Sequence, residues 1–281
     1  MSSLQHTTLS FVGCGVMAEA IIAGLLRREL VAPRQIVGSH PRAARREELE
    51  NKYGIRVVEG NADAATAGHD GAGSSSIVVL AVKPQRLSAV LGELQRRLQP
   101  EQLVLSIVAG AKIETIAEGL SHPLVVRTMP NTPAQIGQGM TAWTATPEVN
   151  DEQLARVRTM LGALGKEIHV ETERMIDMAT ALSATGPTYI FLVMEALVDA
   201  GVHMGFSRHV AQELVSQTIL GSVLFAQESH KHPAELRNMV TSPGGTSAEA
   251  IYQMEKGGLR TVLSKAVWAA FQRAQALGGR K

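Results

Sequence analysis

Short apolar runs alternate with amphipathic stretches along the first half of the chain, and this rhythm predicts repeated βα units. Leu9-Ser10-Phe11-Val12 reads as a first strand, residues 17–28 as a helix and residues 35–39 as a second strand. A charged helix over 42–53 and a strand over 55–58 follow. Ile77-Val78-Val79-Leu80-Ala81-Val82 is continuously apolar, as expected of a strand buried on both faces. A helix over 87–98, strands over 103–108 and 124–127, and a short strand over 140–143 continue the series. Such units, joined by short links, imply a parallel doubly wound sheet with right-handed crossovers. The small-residue stretch at 68–76, just before the central apolar strand, reads as a surface loop.

The rhythm changes near Asp151. A helix over 151–161 and a strand over 167–170 precede a region that is almost wholly helical. Residues 187–204 form a long apolar pattern, 208–228 a second helix, and 246–277 one or two more. Gly201, Gly205, Pro233, Pro243-Gly244-Gly245 and Gly257-Gly258 mark the joints. A helix that is apolar nearly all round must be buried, and burial against a second copy is the simplest way to hide several of them. The fold class expected is an α/β Rossmann-type doubly wound parallel sheet followed by an all-α C-terminal dimerisation domain. Residues 1–170 would be the dinucleotide-binding domain and 171–281 the helical substrate-binding and dimerisation domain.

Composition adds exclusions. The chain has 281 residues, 45% hydrophobic and 19% charged, with a formal net charge of +1. That is a globular balance with no basic tail, so no nucleic-acid partner is expected. No apolar run approaches the roughly 20 residues of a membrane helix, so no membrane partner is expected either. A single cysteine, Cys14, excludes an internal disulfide and fits the cytoplasm. No histidine pair has metal-ligand spacing, so no metal is expected.

Gly13-Cys14-Gly15-Val16-Met17-Ala18 fits the dinucleotide-binding pattern G-x-G-x-x-G/A between the first strand and the first helix. Gly13 would permit the tight turn, Gly15 the close approach of a pyrophosphate, and Ala18 close helix packing. The helix N-terminus would offer amides to the phosphates. The second strand ends in Ser39-His40-Pro41-Arg42, where NAD-preferring sites usually carry a carboxylate. A hydroxyl and a guanidinium accept a 2′-phosphate, so NADP(H) is preferred, with NAD(H) as the alternative.

Five segments together resemble the pyrroline-5-carboxylate reductase family. They are the Phe11–Ala18 stretch, Ala81-Val82-Lys83-Pro84-Gln85, Arg127-Thr128-Met129-Pro130-Asn131-Thr132-Pro133, Ala181-Leu182-Ser183-Ala184-Thr185-Gly186-Pro187, and Val240-Thr241-Ser242-Pro243-Gly244-Gly245-Thr246-Ser247. The last is the most discriminating. The resemblance implies reduction of 1-pyrroline-5-carboxylate to L-proline by hydride transfer to the cyclic imine carbon. It also implies a homodimer through the C-terminal helices, with rings of dimers as a further assembly of the family. Val12, Gly13, Cys14, Gly15, Val16 and Met17 would hold the pyrophosphate. Ser39 and Arg42 would face the 2′-phosphate, and Asn61 the adenosine ribose. Ala81, Val82, Lys83 and Pro84, with Ile107, Val108 and Ala109, would lie along the nicotinamide half. Gly244, Gly245, Thr246 and Ser247 would bind substrate, the Ser247 hydroxyl meeting the ring nitrogen as the catalytic contact. For Lys83 a surface or structural use outweighs a role as acid. Ser247 stands where the family usually carries Thr; it keeps the hydroxyl and loses a methyl. Asn238-Met239 stands where the family often has Asp-Asn, and the 68–76 loop is longer than usual. The competing readings are a related imine or β-hydroxyacid reductase and a non-catalytic NADP-binding homologue.

Overall fold

A computed structural model describes residues 3–67 and 75–279. Most of the 68–76 loop therefore lies outside the described residues. The first part of the chain runs β1 (Thr7–Val12), α1 (Val16–Arg27), β2 (Ile36–Ser39), α2 (Ala43–Tyr53), β3 (Arg56–Val58), α3 (Asn61–Thr66) and β4 (Ser75–Leu80). It continues through α4 (Pro84–Leu94), β5 (Leu103–Ser106), α5 (Ile113–Leu120), β6 (Val125–Met129), β7 (Gly139–Ala145), α6 (Asp151–Gly162), β8 (Gly165–His169) and α7 (Glu173–Ala179). The strands form one sheet in the order β3-β2-β1-β4-β5-β6-β7-β8.

Every neighbouring pair is parallel except β6 and β7, which are antiparallel. The expected purely parallel sheet is corrected at this one pairing. A parallel return needs a crossover, usually a helix, of a dozen or more residues. Here Pro130-Asn131 and a 3₁₀ turn (Thr132–Ile136), closed by Gly137 at φ +74°, simply reverse the chain. Two further corrections bear on the site. The apolar runs expected to be strands through Val82 and Val108 end at Leu80 and Ser106. Pro84 then occupies the first turn of α4, where its missing N–H costs nothing. Ala81, Val82, Lys83, Ile107 and Val108 thus lie in turns just past the carboxyl ends of β4 and β5. The short helix α5 escapes the apolar pattern altogether, and α7 is covered only by the expectation that the chain becomes almost wholly helical there.

The alternation along β4 explains its unbroken hydrophobicity. Ile77 and Val79 join Leu9, Phe11, Ile21 and Trp143 on one side of the sheet. Val78 and Leu80 join Val12, Leu87, Leu91 and Ile116 on the other. Both faces are covered by helices, as a parallel sheet requires.

The chain divides into two compact units, Met1–Thr185 with Ala270–Lys281, and Gly186–Ala269. Helix α7 belongs with the sheet, and a buried charge holds it there. The Arg127 side chain on β6 is 2% exposed and donates to Glu173 at 2.9 Å and to Asp177 at 2.6 Å, both on α7. Glu173 also accepts from the amide of Ile113 at 2.8 Å, tying in the start of α5. A π-helical turn (Thr180–Ala184) follows α7.

The second unit holds α8 (Gly186–His203), α9 (Arg208–Ser229), α10 (Pro233–Met239), α11 (Thr246–Lys256) and the start of α12 (Leu259–Gly278). Gly201 on α8 lets the helix meet Ala211 of α9: a Cβ on Gly201 would stand 3.0 Å from the Ala211 methyl. By contrast Ile190, Phe191, Leu197, Leu220, Leu224 and Phe225 are exposed in the single chain. One continuous helical run, Glu173–His203, is long and apolar enough to cross a membrane by length and composition. That corrects the expectation that no run approaches such a length. The reason is that α7, the π turn and α8 join end to end, with Glu195 and Asp199 interspersed.

Breaking a buried ion pair from one side strands the remaining charges. Arg127→Met should therefore lower unfolding free energy by about 3 kcal/mol, read as a shift in the urea midpoint. An unchanged midpoint would show that α7 is held by packing alone.

Candidate functional site

β1 pairs with β2 on one side and β4 on the other, so the chain reverses its direction of travel across the sheet between them. In open α/β sheets the crevice beyond the carboxyl ends at such a reversal takes the ligand. Gly13 leaves β1 at φ +90°, and a Cβ there would stand 2.8 Å from Val82 Cγ1 and 3.2 Å from the Ala81 carbonyl. Only glycine fits. The Ala81 amide donates to the Val12 carbonyl at 2.9 Å, and the Cys14 amide to the Ser39 carbonyl at 2.9 Å. Gly15 caps α1 in extended conformation with no side chain bonded across the helix end. A Cβ on Gly15 would meet nothing within 4 Å, so the first amides of α1 face open space. Val16 is 64% exposed, while Met17 packs against the core and Ala18 is fully buried. The Cys14 side chain is also buried, and burial pushes its thiol up to about 12. Only the backbone of Cys14 is available to a ligand.

The end of β2 differs from expectation. Ser39 is fully buried. Its hydroxyl accepts from the Gly13 amide at 3.0 Å and donates to Asn61 Oδ1 at 2.8 Å. It braces the glycine turn and does not face outward towards a 2′-phosphate. Asn61 in turn donates to Glu93 at 2.6 Å. Arg46 reaches the carbonyls of His40 and Pro41, both at 3.0 Å. Arg45 bonds Glu19 and Glu48. Arg42 is exposed and forms no ion pair with the described residues, so its guanidinium is available for an anion. Partial burial and the charges of Arg42, Arg45 and Arg46 hold the His40 imidazole below its ordinary value, outweighing the Arg42 amide bond to its ring.

Glu19, in the first turn of α1, clamps α2 from the other side. Its carboxylate accepts from Arg45, from Lys52 at 2.8 Å and from Tyr53 at 2.8 Å. Burial pushes this carboxyl up, but those three hydrogen bonds together outweigh it and bring it from 4.5 down to about 2.

On the opposite flank the Ile107 amide donates to the Leu80 carbonyl at 3.1 Å, and the Val108 amide to the Ser106 hydroxyl at 3.2 Å. Ala109 packs into a small cluster with Met129, Ala142, Ile176, Ala179 and Ala184. Lys83 is exposed and caps α4. Beside these, Asn131 donates to the Ser183 carbonyl and hydroxyl, each at 3.4 Å, and accepts from the Met140 amide at 2.9 Å. Both residues sat in recognisable segments of the sequence without a role. Their contact spans 52 positions, which local pattern cannot reveal.

The Gly244–Ser247 turn lies in the second unit. Gly244 has φ +66° and open space where a Cβ would be. The Gly245 amide donates to the Ser242 carbonyl at 3.1 Å. A Cβ on Gly245 would stand 2.5 Å from the Ser242 hydroxyl and 3.2 Å from its carbonyl, so a larger residue here would make the Ser242 side chain turn away. Gly245 caps α11 with no side-chain bond across the end, leaving the Thr246 and Ser247 amides to an outside acceptor. Ser247 is half-buried. Among the described residues no group of three His, Cys, Asp or Glu side chains could hold a metal ion.

Residues 173–277 match the family model described as pyrroline-5-carboxylate reductase dimerisation. Residues 8–110 match the model described as NADP oxidoreductase coenzyme F420-dependent. The chain is 41% identical to a pyrroline-5-carboxylate reductase of Synechocystis sp., over 96% of this chain and 98% of that one. Its fold is similar to the structure of a pyrroline-5-carboxylate reductase from Coxiella burnetii, with a TM-score of 0.88 and 34% identity over 98% of this chain and all of that one. It is likewise similar to the Plasmodium falciparum pyrroline carboxylate reductase with NADP bound, with a TM-score of 0.86 and 29% identity over 97% of this chain and 98% of that one.

The Glu19 clamp carries a pH signature. A carboxyl held below its unfolded value contributes stability that is complete above that value and is lost as pH falls towards the folded one. The window here runs from 4.5 down to about 2. Thermal midpoints of wild type and Glu19→Gln should therefore converge on acidification through that window. A constant gap across it would show that Glu19 contributes nothing through its charge.

Proposed function

The chain belongs to the pyrroline-5-carboxylate reductase family, and from that premise we propose that it reduces 1-pyrroline-5-carboxylate to L-proline with NADPH. The observation that carries this reading is the Ser242–Ser247 turn, whose two glycines leave the free helix amides open to a carboxylate. The Gly13–Ala18 turn at the sheet reversal supports it independently, as a place for the dinucleotide.

The residues around that turn fit a dinucleotide. Open space before Gly15 and uncapped amides at the start of α1 suit a pyrophosphate. Val12, Gly13, Cys14, Gly15, Val16 and Met17 would hold it, Cys14 through its backbone alone. Arg42 would read the 2′-phosphate, with Ser39 and Asn61 fixing the turn from beneath. Ala81, Val82, Lys83 and Pro84, with Ile107, Val108 and Ala109, would line the nicotinamide half. Bound NADPH supplies the hydride that adds to C5 of the protonated cyclic imine, leaving the amine of proline and NADP⁺.

The chain's own residues orient and enclose. The substrate nitrogen, protonated, already makes the ring carbon electrophilic, so no strong protein acid is required. The free amides of Thr246 and Ser247 would hold the substrate carboxylate, while the Gly245 amide is taken by the Ser242 carbonyl and shapes the turn. The Ser247 hydroxyl would hydrogen-bond the ring nitrogen as it becomes an amine. Orientation of the imine supplies the rest of the barrier reduction.

We assign residues 1–170 to cofactor binding and 171–281 to substrate binding and dimerisation, although α7 and the end of α12 pack within the first compact unit. The exposed apolar faces of α8 and α9 support a homodimer through the C-terminal helices, and light scattering reads whether dimers build further into rings. The lone cysteine and the apolar helices' match to a dimerisation region support a cytoplasmic protein rather than one spanning a membrane.

NADPH and NADH consumption, each followed separately with pyrroline-5-carboxylate, tests the reaction; no substrate-dependent oxidation of either would refute it. Ser247→Ala should lower kcat by roughly 10²–10³, by analogy with other lost transition-state donors, while NADPH binding stays intact. Turnover equal to wild type would remove Ser247 from the mechanism. Arg42→Ala should raise KM for NADPH about tenfold and leave KM for NADH unchanged. Equal changes for the two cofactors would show that Arg42 does not read the 2′-phosphate.

A further inference from the structure

The loop from Ile107 to Lys112 is held at its start by the sheet and at its end by α7. At its start the Ile107 amide bonds the Leu80 carbonyl at 3.1 Å. Within it the Ala111 amide closes a turn onto the Val108 carbonyl at 3.2 Å. At its end Glu173 accepts from the Ile113 amide at 2.8 Å. The crest is Gly110, with φ +75°. Its support comes from far along the chain. A Cβ on Gly110 would stand 2.9 Å from Leu277 Cβ, 3.2 Å from the Leu277 carbonyl carbon and 3.3 Å from the Gly278 amide nitrogen. A Cβ on Gly278 would in turn stand 3.1 Å from the Gly110 carbonyl and 3.6 Å from Lys112 Cε. Two glycines thus let the last turn of α12 lie directly on the loop crest. Phe271 and Ala274, one to two turns earlier on α12, are buried and anchor the helix end in the first unit.

We propose that Leu277 and Gly278 are positioning residues: the last turn of α12 is a latch that fixes the Ile107–Ala109 segment, and with it the nicotinamide half of the cofactor. The proposal rests on the reading that Ile107, Val108 and Ala109 line that half. The latch touches the crest of the loop after β5, three strands away from β2 in the sheet, so its loss acts on hydride alignment and spares the adenosine half. Misplacement of reacting groups by an ångström from a distant change is enough to slow a reaction severely.

Two variants release the latch by opposite means. Ending the chain after Ala276 removes the turn, and Gly278→Leu wedges a side chain against the Gly110 carbonyl. Both should lower kcat about tenfold while the Kd for adenosine 2′,5′-bisphosphate, a probe of the adenosine half alone, stays within about twofold of wild type. Ala109→Leu, measured in parallel, addresses the premise directly and should impair turnover and KM for NADPH. If Ala109→Leu is silent, the loop does not meet the nicotinamide and the proposal falls with its premise. If Ala109→Leu impairs turnover and both α12 variants turn over like wild type, the latch itself is wrong. Loss of bisphosphate binding along with kcat in both α12 variants would also overturn it, since the turn would then be supporting the fold as a whole.

Discussion

At Gly13 the chain leaves β1 with φ +90° and passes so close to Ala81 and Val82 that no side chain can stand between them. That contact forces the turns after β1 and β4 into one edge-to-edge surface at the reversal of the sheet. The Ser39 hydroxyl holds the Gly13 amide from one side, and the Ala81 amide ties the Val12 carbonyl from the other. The amides that open α1 are thereby fixed towards open space before any ligand arrives. Preorganisation of this sort matters because ordering a loop on binding subtracts directly from affinity. A larger residue at position 13 would push apart the two turns proposed to share one cofactor, so its effect could not stay local.

The charges around this surface divide into those that hold the protein together and those left for a ligand. Glu19 and Glu48 occupy Arg45, and the carbonyls of His40 and Pro41 occupy one nitrogen of Arg46. Arg42 alone of the three lacks such a partner among the described residues. A basic cluster therefore provides a general positive field with one exposed, unpaired guanidinium among the described residues at its edge. Arg127 does the converse on the other flank. Its fork is buried, and it fixes α7, which carries the π-helical turn and Ser183 towards Asn131. Buried ion pairs are poor contributors to net stability but strict about geometry, and geometry is what a hydride-transfer surface needs.

How much of this the sequence disclosed follows from the range of each interaction. The βα rhythm and the Gly13–Ala18 turn are local, and both were readable from a few consecutive residues. Strand ends were misjudged by two residues at Leu80 and Ser106, because the apolar run continues into turns that are themselves packed. Residues 140–143 read as a strand, but the antiparallel direction of β7 was missed, because it depends on the absence of a crossover helix and not on the strand's own residues. Ser39 was read as an outward hydroxyl from its place at a strand end; nothing local announces that Asn61, 22 positions on, closes over it. Arg127 looked like one residue of a motif, and its partners on α7 lie 46 and 50 positions away.

The second unit reverses the usual relation between sequence and stability. Val198, Gly201 and Ala211 are its buried small or apolar residues, while Phe191, Leu192, Leu220, Leu224 and Phe225 stand exposed. At roughly 25 cal/mol per Å² of apolar surface, so few buried side chains cannot offset the conformational entropy of ordering several helices. Packing against a second copy, in keeping with the match to a dimerisation region, would supply the missing burial and couple folding of these helices to association. The Gly244–Ser247 turn is built on those same helices. The substrate site proposed there would then depend on assembly through the apolar faces of α8 and α9.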